Sequence, residues 1–142
     1  MKKNSILRDL AAKIGRLILS RAAASSLNKR EKTENVKFIA GLDEWIMSKG
    51  WLDDLSMGEV AEILGVRQEQ LSIFFHTQFG KSFLQWRREL RIEEAKRLLL
   101  EDKTMPTALV GETVGINDKS NFRRQFKAIT GYTPAEWRRL EH

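Results

Sequence analysis

Val60-Ala61-Glu62-Ile63-Leu64-Gly65-Val66 and, 50 residues later, Val110-Gly111-Glu112-Thr113-Val114-Gly115-Ile116 are two renderings of one pattern. Downstream the correspondence continues at an offset of 51: Leu71, Phe75, Gly80, Ser82 and Trp86 match Phe122, Phe126, Gly131, Thr133 and Trp137. Both runs close on Trp-Arg-Arg, at 86–88 and 137–139. Self-similarity at a fixed period marks a repeated structural unit. The additional residue of the second copy falls in the turn after its glycine.

Within each copy the spacing predicts a short helix, a glycine reversal and a second helix, because Gly65 and Gly115 can take the positive φ that a sharp turn demands. Leu71, Phe74, Phe75 and Phe79 in the first copy, and Phe122, Phe126 and Ile129 in the second, recur at three and four residues and form the buried stripe of each second helix. Ser56 with Glu59, and Thr133 with Glu136 behind Pro134, have the spacing of capping boxes, and Ser82 is placed to cap the helix between the copies. That connecting helix, about 82–100, carries Leu84, Leu90, Ile92, Ala95, Leu98 and Leu99 as apolar positions and should extend about 27 Å. Pro106 begins or just precedes the second copy. An earlier helix, about Val36 to Lys49, is expected to pack Phe38, Leu42, Trp45 and Ile46 against the first. Two prolines and few strand-like alternations complete an all-α reading, with two helix-turn-helix subdomains (about 55–80 and 106–131), about seven helices, and an N-terminal amphipathic helix.

Composition narrows the chemistry. With 42% hydrophobic residues in 142, the chain can fill a core. The excess of 25 Lys and Arg over 19 Asp and Glu favours polyanionic partners. The absence of cysteine excludes disulfide scaffolds, thiolate zinc sites and thiol nucleophiles, and His76 and His142 are the only histidines. No metal, no cofactor and no enzymatic activity are therefore expected, since no nucleophile sits beside a base and no glycine loop is built to cradle phosphates. Arg8, Asp9, Lys13 and Arg16 interrupt the only candidate apolar run, so a cytoplasmic location is expected.

A helix-turn-helix works because its second helix fits the major groove and presents polar side chains to base edges. The residues off each apolar stripe are the candidates: Gln68, Glu69, Ser72, Ile73 and His76 in the first copy, and Lys119, Ser120, Asn121, Arg123, Arg124 and Lys127 in the second. Arginine can hold guanine O6 and N7 together, asparagine can pair with adenine, and lysine or serine can fix phosphates, so the second set has the stronger chemistry for reading DNA. Arg87, Arg88, Arg138 and Arg139 read equally as solvated helix charges or as phosphate contacts.

The order Leu71-x3-Phe75-x4-Gly80, then Leu90-Arg91-Ile92-Glu93-Glu94-Ala95-Lys96-Arg97-Leu98-Leu99, then Ser120 to Lys127 and Gly131-Tyr132-Thr133-Pro134, resembles the AraC/XylS family of bacterial transcription regulators. The resemblance covers 36–139 as one DNA-binding domain and implies that Gln68 to His76 and Lys119 to Lys127 enter successive major-groove segments of double-stranded DNA. Gly111 stands where that family usually has alanine, and Ile116 where it frequently has phenylalanine. Glu69 and Ile73 stand where a basic or aromatic residue often touches bases, which leaves the first helix a thymine methyl or a cytosine amine to read, or little specificity. Residues 36–80 carry three basic and seven acidic groups against thirteen and nine in 81–142, so the first copy's acidic face reads either as solvated surface or as a contact for RNA polymerase. A protein-interaction module on the same fold, binding DNA weakly, is the alternative function.

Residues 1–35 fall outside the repeat and hold nine basic and three acidic groups. Leu7, Leu10, Ile14 and Leu17 form a narrow 3-4 stripe, which needs a covering surface. Pairing of residues 1–24 in a homodimer is the favoured expectation and a membrane surface the runner-up. Ser25 to Asn35 reads as a flexible linker. Leu140-Glu141-His142 has the look of the start of an affinity tag and is given no functional weight.

Overall fold

A computed structural model describes residues 28–140, so the expectations placed on residues 1–24 lie outside the described part. Among the described residues the chain is all-helical: α1 (Lys29–Met47), a 3-10 turn (Gly50–Leu52), α2 (Met57–Leu64), α3 (Gln68–Phe79), α4 (Phe83–Glu101), α5 (Thr107–Thr113), α6 (Lys119–Thr130) and α7 (Pro134–Arg139). Both copies of the repeat fold as a helix, a turn and a helix. Even the left-handed residues recur at the sequence offset, with Gly65 and Gly80 matched by Gly115 and Gly131.

Packing divides these helices into two compact units whose border does not follow the repeat. One takes the described residues up to Trp51 with Leu55–Ile73, and the other takes Leu52–Asp54 with everything from Phe74 onward. The border cuts α3, because Phe74, Phe75 and Phe79 belong to an aromatic cluster with Phe83 and Trp86 of α4.

In the first unit α1 begins earlier than its apolar periodicity suggests. The Asn28 side chain accepts from the Glu31 N–H at 2.8 Å while the Glu31 carboxylate accepts from the Asn28 N–H at 3.1 Å, a complete capping box that satisfies two otherwise orphaned amides. Residues 29–35, expected as linker, therefore form the first two turns of α1, supported on the exposed side by an Arg30–Glu34 ion pair at i,i+4. The buried stripe is Ile39, Leu42, Trp45 and Ile46, with Phe38 only half-buried, so Ile39 takes the core place that the sequence reading gave to its neighbour. Trp51 is also buried and donates its indole N–H to the Ile46 carbonyl at 3.1 Å. α1 packs on α2, whose Ser56 cap accepts from the Glu59 N–H at 3.1 Å.

The second unit is organised around α4. Ile92, Ala95 and Leu99 meet Val110, Val114, Ile116, Phe122 and Phe126 in one buried cluster. Fully burying a side chain of this size stabilises by roughly 1.5–3 kcal/mol, so this cluster fixes the second helix-turn-helix against α4. The repeat extends to its aromatic pairs, since Phe75 meets Trp86 at 4.8 Å and Phe126 meets Trp137 at 6.1 Å. Ser82 caps α4 as expected, accepting from the Gln85 N–H. Leu84 departs from the expected apolar face: it is half exposed, and Phe83 and Trp86 do the packing at that end.

Candidate nucleic-acid interface

α6 starts at Asp118, whose carboxylate accepts from the Asn121 N–H at 2.6 Å and sets the helix entry. Phe122 and Phe126 then point into the core, Ile129 is half-buried, and the opposite side is left to solvent. Lys119, Ser120, Arg123, Arg124 and Lys127 are all exposed, and Asn121 is half-buried at the edge of that face. The i,i+4 spacing of Lys119, Arg123 and Lys127 lines three cations along about two turns. Arg124 reaches back to the Asn121 side-chain oxygen at 3.4 Å, which links the edge of the face to its centre.

On α3 the candidate residues are also outward: Gln68, Glu69, Ile73 and His76 are exposed and Ser72 is half-buried. Ile73 is 65% exposed, a large apolar side chain on a face with no lysine or arginine between 68 and 79. The two second helices thus offer different chemistry. Of these candidates, α6 presents four cations, a hydroxyl and an amide, whereas α3 presents one carboxylate, one imidazole, an amide, a hydroxyl and an alkyl group.

What holds the second helix-turn-helix in shape was not visible in the apolar pattern. Arg91 is 9% exposed and donates to the Asp53 carbonyl at 2.8 Å and to the Gly115 carbonyl at 3.4 Å. Burial, with help from the nearby Arg87 charge, pulls its pKa down to about 10, while Asp54 and Asp53 act in the opposite direction. The signal in the sequence was positional: Arg91 sits four and eight residues before Ala95 and Leu99, on the inward face of α4. The turn it grips is close-packed. Gly115 has φ +87°, and a Cβ there would stand 2.8 Å from the Leu52 carbonyl oxygen and 3.0 Å from the Arg91 guanidinium carbon.

The arginines of the two Trp-Arg-Arg runs separate into different roles. Arg138 donates to the Leu99 carbonyl at 3.0 Å and the Asp102 carbonyl at 3.1 Å, so it closes the C-terminal end of α4. Arg87 is half-buried with its guanidinium 5.3 Å from the Phe83 ring. Arg88 and Arg139 are exposed.

Gly111 has a local cause. A Cβ added there would lie 2.8 Å from the buried Phe122 ring, and the first copy sets Ala61 and Leu71 at the same two positions. Each copy pairs a smaller with a larger residue in its own way. Gly111→Ala is expected to destabilise by about 1–2 kcal/mol, because overpacking a core of this kind outweighs the helix-propensity gain of about 1 kcal/mol. Adding Phe122→Leu, which recreates the first copy's pair, should recover part of the loss. Urea unfolding of both variants checks this, and a Gly111→Ala chain more stable than the parent would show that the ring yields freely.

Among the described residues no group of three His, Cys, Asp or Glu side chains could hold a metal ion, and no helix is long and apolar enough to cross a membrane. Residues 60–140 match a family described as a helix-turn-helix domain. The arabinose operon regulatory protein of Escherichia coli is 41% identical over 85 residues, which are 60% of this chain and 29% of that protein. The chain thus matches less than a third of that relative's length. An uncharacterized HTH-type transcriptional regulator of Pseudoalteromonas carrageenovora is 31% identical over 118 residues, covering 81% of this chain and 69% of the relative. In structure, the C-terminal domain of AraT, a response regulator from Geobacillus stearothermophilus, superposes with a TM-score of 0.63 at 31% identity, over 69% of this chain and 80% of that one.

Proposed function

The chain belongs to the AraC/XylS family of helix-turn-helix transcription regulators, and on that premise we propose that it binds double-stranded DNA at specific sequences, setting α3 and α6 into successive major-groove segments. One observation carries the reading: the solvent face of α6 gathers Lys119, Ser120, Arg123, Arg124 and Lys127 opposite a helix face anchored by Phe122 and Phe126. In that role Arg123 and Arg124 hold base edges, and Lys119, Ser120, Asn121 and Lys127 fix phosphates. α3 contributes shape and apolar contact, with Ile73 against a thymine methyl, Glu69 accepting from a cytosine amine, and Gln68, Ser72 and His76 at the groove edge. Duplex binding measured across salt concentrations tests the proposal. A slope of log affinity on log salt near zero would remove it, because neutralising phosphates must release counterions.

A second reading has its own observation. Glu59 and Glu62 on α2 and Glu69 on α3 are exposed, and α2 and α3 together carry no lysine or arginine. These exposed carboxylates suit a basic partner surface better than a phosphate backbone, with RNA polymerase as the candidate partner. Ile73→Arg separates the two. If α3 lies in the groove, the new cation raises affinity for nonspecific duplex and steepens the salt slope by about one phosphate contact. Unchanged or weaker binding at low salt would mean that α3 does not dock there.

A further inference from the structure

Between α4 and α6 the second unit holds an open groove of about 200 Å³, lined by Arg87, Arg88 and Arg91 of α4 and by Asn117, Asn121 and Gln125 on the α6 side. Three guanidinium groups and three amides line it, and no carboxylate does. The space is worth roughly six waters, room for a tetrahedral oxyanion. Donors of this kind, planar forks and side-chain amides, match the oxygens of phosphate as they do those of carboxylate, and the tetrahedral space favours the first.

The walls are held rather than loose. Arg91 is fixed by the Asp53 and Gly115 carbonyls, Arg87 lies against the Phe83 ring, and Arg88 donates to the Gln85 side-chain oxygen at 3.1 Å. Asn121 and Gln125 are one turn apart on the edge of α6, both half-buried, so one wall of the groove is the side of the reading helix itself. Burial lowers the pKa of both Arg87 and Arg91, so their charge is partly desolvated, and an anion in the groove would offset that burden. Asp53 and Asp54 compensate these arginines from outside the groove, and neither lines it.

We propose that this groove is a phosphate seat that takes the backbone phosphate flanking the bases read by α6. The seat fixes the register of α6 on the duplex, since a phosphate gripped on the helix's α4 side sets which base edges Arg123 and Arg124 can reach. This rests on the DNA-binding reading above for its source of phosphate, while the seat itself is a property of the α4–α6 walls. A free phosphorylated small molecule has the same chemistry and is the other source.

Two variants keep the fold and change the seat. Arg88→Gln removes an exposed cation, and Gln125→Glu places a carboxylate on the wall at nearly constant shape. The first arm uses duplexes with single neutral methylphosphonate linkages scanned across the bound site. One linkage is expected to weaken the parent protein about tenfold and to weaken Arg88→Gln far less, with the salt slope of that variant lower by about one. The second arm titrates inorganic phosphate into the full chain without DNA and follows the side-chain amide signals of Asn121 and Gln125 by NMR. Saturable shifts there, lost in Gln125→Glu, show the seat directly. Phosphate shifts with additive methylphosphonate effects keep the seat and assign it to a free phosphorylated ligand. Absence of both responses overturns the proposal. A chain that binds no duplex but shows the shifts refutes the DNA reading and leaves the seat standing.

Discussion

A chain carrying Arg123→Ala and Arg124→Ala together is expected to lose its preference for its site, with binding to the best duplex weakened by about 2–6 kcal/mol. Each bidentate arginine–guanine contact is worth roughly 1–3 kcal/mol of discrimination, and two on one helix add if they touch different base pairs. The lower end is already about thirty-fold in affinity. Stability should hold, because both side chains are exposed and neither contributes to the core. Lys127→Ala serves as the contrast: a phosphate contact carries no sequence information, so its loss should weaken all duplexes evenly and lower the salt slope by about one. Selection of bound duplexes from a random pool measures the difference. If the double arginine variant still recovers the parent's preferred sequence, the assignment of α6 as the reader is wrong.

How far the sequence carried this picture can be read from particular residues. The repeat placed both helix-turn-helix copies because it rests on the strongest short-range signals a chain has, apolar spacing and glycine turns, and the buried Leu71, Phe75, Phe122 and Phe126 follow directly from it. The start of α1 was missed because Lys29 to Asn35 carries little apolar content, and a helix fastened by a cap instead of a stripe leaves only the Asn28-x-x-Glu31 spacing to find. Ile39 is buried where Phe38 was expected, because the two lie side by side and only the partner surface decides which faces in. Arg138 reads from the sequence as a solvated charge or a phosphate contact, and Arg91 only as part of the Leu90 to Leu99 motif. Their partners are backbone carbonyls 38 and 24 residues from Arg91, and 39 and 36 from Arg138, and carbonyls have no signature in sequence. The outward face of α6 was legible for the complementary reason. Outward residues are whatever the stripe leaves over, so once the stripe of α6 is right its solvent face is right as well.

Arg91→Met is expected to destabilise the second unit by about 2–4 kcal/mol. The substitution keeps an unbranched apolar stem in the α4 face and removes only the guanidinium, so packing changes little. What is lost is a pair of charge-assisted hydrogen bonds to the Asp53 and Gly115 carbonyls, each in the range of about 1.5–3 kcal/mol, the one to Gly115 weaker at 3.4 Å. Relief from burying a cation works against this, which is why the expected loss is below the plain sum. Arg91→Lys should recover about half, because a single ammonium on a flexible stem can satisfy one carbonyl but cannot span two in a fixed fork. The consequence for function runs through the turn. Gly115 joins α5 to the segment that launches α6, and Arg91 is the side chain that ties this turn to Asp53, so a loosened clamp should let α6, the proposed reader, drift before the core melts. Two measurements taken together decide it: urea unfolding, and the dissociation rate from the preferred duplex at a temperature where the variant stays folded. Stability falling with dissociation unchanged would make Arg91 a strut for the fold alone, and an Arg91→Met chain as stable as the parent would mean that the two carbonyls do not depend on it.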